Sequence, residues 1–350
     1  MTGRSPAPRT VIGTLPRYSR ASGTGRVRWR ASSNEAAVAP SAAVIAAMAA
    51  AGARAHLYPS LIGDEIVAAV GRRLGVDPEQ IVVGGGSIAV LQNTLLAYTG
   101  PGTEVVHAWR SYEAYPILVG LAGADPVPVP LDAGLTHDLA AMAAAVTGRT
   151  RAVIVCNPNN PTGTHLPHAD IERFLAAVPA DVLVILDEAY REFADEPADA
   201  VELLPRHPNL AVFRTFSKAY GLAGVRAGYL VASAEIAGNV RAASPPFGLS
   251  AVAEAGAVAA WNDLEHLAAV IGTAAVGRER LWAALRARGI PAPASRSNFV
   301  WIPAEDTGPL ERACIERGVS VRCFAGEGVR VTVGDRNAED AVIAAVDSLG

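Results

Sequence analysis

The sequence predicts an α/β protein with a large domain built on a mostly parallel sheet covered by helices, and a smaller α+β C-terminal domain. Three observations carry this reading. Short β-branched runs recur at 81–83, 104–106, 126–129, 151–156, 181–186, 210–213 and 227–231. Between many of them lie Ala- and Leu-rich stretches of helical length, as at 87–97, 137–146 and 168–178. The runs are apolar without the alternation of a half-exposed strand, so both faces of their sheet should be buried.

Taken in order, residues 1–40 read as an N-terminal arm that joins the small domain and a dimer contact. Seven arginines (Arg4, Arg9, Arg17, Arg20, Arg26, Arg28 and Arg30) precede the first acid, Glu35. Such a leader can be an organelle transit peptide; an arm lying across a partner subunit is the preferred reading. Residues 41–56, rich in Ala without internal Pro, predict a helix, and 63–74 a second. The large domain is expected over 41–244. Pro245-Pro246 breaks the chain, a helical stretch follows over 250–288, and a short α+β tail runs over 290–350. The small domain is therefore expected over 245–350.

Composition narrows the function. With 51% apolar and 18% charged residues, the 350-residue chain should fold around a sizeable core. A net charge of −4 argues against nucleic acid, which needs a basic face. No apolar run reaches the length of a membrane span. Cys156, Cys314 and Cys323 fit no metal spacing, and an odd count without a secretory signal fits a reducing, cytoplasmic setting. His107, His137 and His165 form no triad or metal pattern and read as surface or core residues.

Four motifs carry chemistry. IVVGGGSIA runs from a strand through Gly84, Gly86 and Ala89 into a helix, with Glu104 at the distance of a dinucleotide-binding acid. Its general physics is a backbone cradle for phosphate, with Gly86 and Ser87 at a helix N-terminus. CNPNNPTGT brings Asn157 to the carboxyl end of an apolar strand, where open α/β sheets bind ligands. DVLVILDEAYREF ends a strand on Asp187, with Tyr190 three residues on. A desolvated carboxylate there needs a cation, such as a pyridinium nitrogen, unless it merely caps the next helix. RTFSKAYGLAGVRAGY places Lys218 after a strand, with Ser217 and Arg226 suited to a phosphate. Phosphate donors, an acid, ring hydrogen-bonders and a lysine at the strand ends of one sheet form the inventory that pyridoxal 5'-phosphate (PLP) requires.

With NPNNPTG, DEAY and TFSKAYGLAGVRAGY in this order, the chain resembles the fold-type I, class I/II aminotransferases over nearly its whole length. Within them it is similar to the histidinol-phosphate aminotransferase group. GGGSIAVLQ, HAWRSYEAYP, THDLAAMAAAV and VRCFAGEGVRVTVG resemble the actinobacterial aromatic amino-acid (phenylalanine) branch. The resemblance implies that Lys218 holds PLP as a Schiff base and shuttles the substrate proton, while Asp187 keeps the ring nitrogen protonated. It implies that Asn157 and Tyr190 bond the ring oxygen, that Tyr112 stacks on the ring, and that Gly86, Ser87, Ser217 and Arg226 hold the phosphate. Tyr58 in HLYPS would reach the phosphate of a neighbouring subunit, which implies a homodimer with shared sites. Arg330 would clamp the substrate carboxylate and Arg322 a second anion, with Asn34 and Tyr18 on the substrate side.

The chain departs from the family pattern at 33–40. There SNEAAVAP replaces S-x-N-E-N-P-Y/F-G-P, and the aromatic-glycine pair becomes Val38 and Ala39. The loop after Ser87 lacks the acids common in histidinol-phosphate enzymes. The expected activity is transfer of an amino group from an aromatic amino acid to 2-oxoglutarate by a ping-pong cycle. Histidinol-phosphate transamination, a related PLP decarboxylation and a non-catalytic PLP-binding module are the alternatives. An NAD oxidoreductase would rest on the glycine motif alone.

Overall fold

A computed structural model describes residues 6–15 and 27–349. Its strands, in chain order, are β1 (Trp29–Arg30), β2 (Ile81–Gly84), β3 (Glu104–Trp109), β4 (Asp125–Pro130), β5 (Thr150–Cys156) and β6 (Leu183–Asp187). They continue as β7 (Leu210–Thr215), β8 (Gly228–Ala232), β9 (Phe299–Pro303), β10 (Val319–Ser320), β11 (Arg322–Phe324) and β12 (Gly328–Thr332). Seven form one sheet in the order β2-β8-β7-β6-β5-β3-β4. Only β8 runs against its neighbours; the other pairings are parallel.

Side chains alternate across this sheet. Val105, Ile154, Ile185 and Phe213 pack on one face, under helices Ser87–Tyr98 and Ala114–Ala122. Val106, Val155, Leu186 and Val212 pack on the other, with helices Asp64–Leu74, His168–Ala177 and Ala251–Asn262. Both faces are dry, which is why the strand sequences show no polar alternation. Each fully buried Leu, Ile or Phe contributes about 1.5–3 kcal/mol of burial free energy, an upper estimate.

Two local features differ from the sequence expectation. The expected stretch over 250–288 is two helices, Ala251–Asn262 and Leu264–Ala287. The Asp263 carboxylate accepts the His266 N–H at 3.1 Å, so it caps a new helix instead of continuing the old one. Helix Ala114–Ala122 was hidden by Pro116, which sits in the first turn, where the missing N–H costs nothing.

A third core joins the antiparallel sheet β11-β12-β9 to helices Leu264–Ala287, Gly308–Glu316 and Arg336–Asp347. Residues from before the large sheet enter it: β1 pairs in parallel with β10, Ala31 is buried in the cluster, and the Thr332 N–H donates to the Ala31 carbonyl at 2.8 Å. This return of the chain places Asn34 298 positions from its bonding partner Thr332 yet at the same site.

The carboxyl edges of β6 and β7 are tied electrostatically. Buried Arg214 donates Nε and Nη2 to Glu188 Oε2 at 2.9 and 2.7 Å, and Nη2 to Asp199 Oδ1 at 2.6 Å. Removing one member of such a buried set leaves the others uncompensated, at about 3–5 kcal/mol. The network fixes the backbone beside Asp187, from Glu188, and the strand that leads to Lys218. No helix among the described residues is long and apolar enough to cross a membrane.

Candidate active site

A cavity of about 610 Å³ opens where the parallel strands end. Asp187 enters it from β6, Thr215, Ser217 and Lys218 from β7 and the turn after it, and Ser87 and Ile88 from the helix after β2. Its far wall is made by Ser32–Asn34, Arg322 and Arg330. Sequence-distant segments therefore meet at one edge of the sheet.

The glycine motif forms an anion cradle. Gly86 caps helix Ser87–Tyr98 at φ 93°, and a Cβ there would strike the Arg226 guanidinium. Gly228 opens β8 where any Cβ would collide with the Ser87 backbone nitrogen. Both positions therefore require glycine. Ser217 Oγ accepts from Arg226 Nη1 at 3.1 Å, which completes a set of helix N–H groups, hydroxyls and one guanidinium suited to a phosphate. Glu104 does not belong to this set. It opens β3 at the opposite edge, and its carboxylate is held by Arg149 and by Thr147 Oγ1 at 2.5 Å. The dinucleotide reading loses its ribose acid.

Asp187 ends β6, accepts the Tyr115 hydroxyl proton at 2.7 Å and the Ala189 N–H at 3.2 Å, and borders the cavity. Burial pushes its carboxyl up, against those two donors. Among the described residues no arginine or lysine forms an ion pair with it. A buried carboxylate lacking a cation and facing a cavity fits a protonated pyridine nitrogen. Asp187 does not cap the next helical element: the 3-10 turn Arg191–Phe193 has Tyr190 at its N-cap, and the Ala189 N–H bond only closes a local turn.

Lys218 Nζ donates to the Asn34 carbonyl at 3.3 Å and lies 5.7 Å from the Tyr190 ring centre. Burial and the nearby Arg330 charge bring its amine down from 10.5 to about 8, with Arg226 adding to the fall while Glu35 and Asp187 oppose it. About a tenth of it is therefore neutral at pH 7, against about 0.03% for a free lysine. It is also the only lysine in the sequence; every other Lys/Arg position is arginine. Arginine cannot lose its proton in a protein, so the one lysine stands where a neutral amine can be made. This count is a signal in the composition that motif reading passed over.

Tyr190, Tyr112, Asn34, Arg322 and Arg330 all border the cavity. Tyr190 Oη accepts from Asn34 Nδ2 at 2.9 Å, and burial pushes its phenol up. Arg330 Nη1 donates to Asn160 Oδ1 at 2.5 Å and Nη2 to the Ser32 carbonyl at 2.7 Å. Arg322 lies opposite Arg330 in register across β11 and β12, and its Nη2 donates to Glu113 Oε2 at 2.6 Å.

One expected residue is corrected. Asn157 does not face the cavity: its amide accepts the Leu166 N–H at 2.8 Å and donates to the Leu166 carbonyl at 2.9 Å, which anchors the loop. Asn160, three residues on in NPNNPTG, takes the expected place. Tyr115 and Asn298, which donates to the Asn34 carbonyl at 3.2 Å, also support the site and were not anticipated. Tyr58 lies outside the cavity of its own chain, 84% exposed and stacked on Phe247 at 4.8 Å. Tyr18 falls outside the described residues. His107 and His137 are buried, the latter bonded to Asn159 at 3.0 Å and brought down to about 4 by burial. Cys156, at the end of β5, is pushed up to about 12 by burial and is an inert thiol.

A strand-end lysine and acid and an anion cradle on the doubly covered sheet, faced by a pair of arginines from β11 and β12, fit a PLP-dependent enzyme of the transaminase class. Residues 30–346 match the family described as Aminotransferase class I and II, and the chain belongs to it. It is 45% identical over 346 residues to an aromatic amino acid aminotransferase of Streptomyces coelicolor, covering 97% of this chain and 96% of that one. A protein of the same description from Thermobifida fusca is 48% identical over 315 residues, covering 89% and 88%. Histidinol-phosphate aminotransferase from Sinorhizobium meliloti, solved with pyridoxal-5'-phosphate, superimposes with a TM-score of 0.89 at 27% identity over the full length of both chains.

Proposed function

We propose that the protein transfers the amino group of an aromatic amino acid to 2-oxoglutarate in two half-reactions at this one cavity. The observation that carries the reading is the single lysine of the sequence, Lys218, in one cavity with Asp187 and the Arg322–Arg330 pair. The description shared by the relatives from S. coelicolor and T. fusca supports the aromatic donor.

Bound PLP supplies an electron sink for the negative charge that develops on the substrate Cα. The residues do the rest. Ser87, Ser217, Arg226 and the helix N–H groups at Gly86 would hold the phosphate, and Asp187 would keep the ring nitrogen protonated. Tyr190 and Asn160 would hydrogen-bond the ring oxygen, and Tyr112 would pack on the ring. Lys218 would anchor the cofactor through its amine and, once displaced by the substrate's amino group, would be free to take the Cα proton and return it, a role that needs an amine titrating near the working pH. Arg330 grips the α-carboxylate of both donor and acceptor.

Tyr58 would complete the phosphate site of a second copy, making the protein a homodimer. Its exposure within its own chain supports this reading, and a monomer in sedimentation at micromolar concentration would remove it. Three free cysteines fit a cytoplasmic location.

Histidinol phosphate is the second reading, because the arginine pair could take a phosphate in place of a carboxylate. A panel of donors with 2-oxoglutarate separates the two. Phenylalanine or another aromatic amino acid should exceed histidinol phosphate in kcat/KM. The reverse order by tenfold, about 1.4 kcal/mol of transition-state binding, would reject the aromatic assignment.

A further inference from the structure

Three guanidiniums lie around the ring of Phe324, and two of them, Arg322 and Arg330, line the cavity. The Arg110, Arg322 and Arg330 Cζ atoms lie 5.3, 5.6 and 5.9 Å from the centre of Phe324. Their partners differ. Arg110 is clamped by the Glu327 carboxylate, with Nε to Oε2 at 2.6 Å. Arg330 donates to Asn160, beside the cofactor groups, and its charge reaches Lys218. Arg322 meets a carboxylate that belongs to neither sheet strand: Glu113, the neighbour of Tyr112.

Glu113 has no other assigned task. It is the N-cap residue of helix Ala114–Ala122, yet its side chain makes no capping hydrogen bond. The carboxylate turns instead to Arg322, whose side chain is 9% exposed against 28% for Glu113. The pair therefore joins a nearly buried cation inside the cavity to an acid reachable from outside.

We infer that Glu113 is a positioning residue that sets the site's preference for uncharged over anionic substrate side chains by holding and neutralising Arg322. With the pair intact, an apolar ring enters beside a compensated guanidinium and leaves no bare, half-desolvated charge. A distal carboxylate or phosphate must either share Arg322 with Glu113 or displace it, and in both cases lies near that acid. Both effects penalise anionic side chains, and the penalty is moderate because Glu113 can swing into water. The acceptor's second carboxylate can therefore still be bound, at a cost that an aromatic side chain does not bear.

This inference rests on the transaminase reading and names the specificity element of the same site. The test compares wild type, Glu113→Gln and Glu113→Asp holoenzymes. Binding of two unreactive acids, maleate and 3-phenylpropanoate, is measured by calorimetry, alongside kcat/KM for glutamate and phenylalanine. Glu113→Gln should bind maleate about tenfold tighter and 3-phenylpropanoate no tighter, and shift the glutamate-to-phenylalanine ratio about tenfold toward glutamate. Glu113→Asp keeps the charge and should hold the wild-type ratio within about threefold. A merely structural role would change both ligands together. Such parallel changes, or a Glu113→Gln ratio shift below about threefold, overturn the inference. Failure of the aromatic assignment would show separately, as a wild-type donor order led by histidinol phosphate.

Discussion

Lys218→Ala should lower kcat at least about a thousandfold, about 4 kcal/mol of barrier, while the protein still folds and takes up PLP without a covalent bond. The alanine removes the only side-chain amine in the sequence, so no neighbouring lysine can substitute. The fold should tolerate it, because the lysine contributes one long hydrogen bond to the Asn34 carbonyl and a distant approach to the Tyr190 ring. PLP retention follows from the cradle, which Lys218 does not build: Ser217, Arg226 and the N-terminus of helix Ser87–Tyr98 remain. Added small amines should restore part of the rate by entering the space left behind. A variant within tenfold of wild type would mean that another group moves the proton.

Asp187→Asn is the second large effect. The carboxylate is buried, bonded by Tyr115 and Ala189, and pushed up by burial. A cationic ring nitrogen reverses that push, so the acid and the protonated ring stabilise each other. Asparagine keeps the shape and can still accept the Tyr115 proton, but it cannot hold the ring's positive charge. The expected loss is about a hundredfold in kcat, about 2.7 kcal/mol, with weaker PLP binding and unchanged thermal stability of the apoprotein. A wild-type rate would return Asp187 to the modest task of closing the turn at Ala189.

What the sequence made legible follows from how directly each residue's place depends on its own neighbours. Asp187 and Lys218 stand at the end of a strand or just past it, and apolar runs of β-branched residues locate such ends without a structure. Gly86 and Ser87 open a helix after a strand, which is again local. Asn157 and Asn160 could not be told apart this way. Both lie in one Asn/Pro-rich loop, and only the grip of Asn157 on Leu166 turns it away and leaves Asn160 in the cavity. Tyr115 carried no signal, since nothing in AYPILVGLA shows that its hydroxyl meets Asp187 from 72 positions away. The Glu113–Arg322 pair spans 209 positions and depends on the small antiparallel sheet folding back over the large one.

The central claim is that Lys218 is the amine that carries the cofactor. The most direct measurement is borohydride reduction of the PLP-loaded protein, followed by intact mass and peptide mapping. With a single lysine in the chain, the result is unambiguous. The expected result is one reduced pyridoxyl phosphate per chain, on the peptide containing Lys218, with loss of the visible absorbance band. Absence of an adduct, or its recovery on the N-terminal amine with Lys218 unmodified, would contradict it.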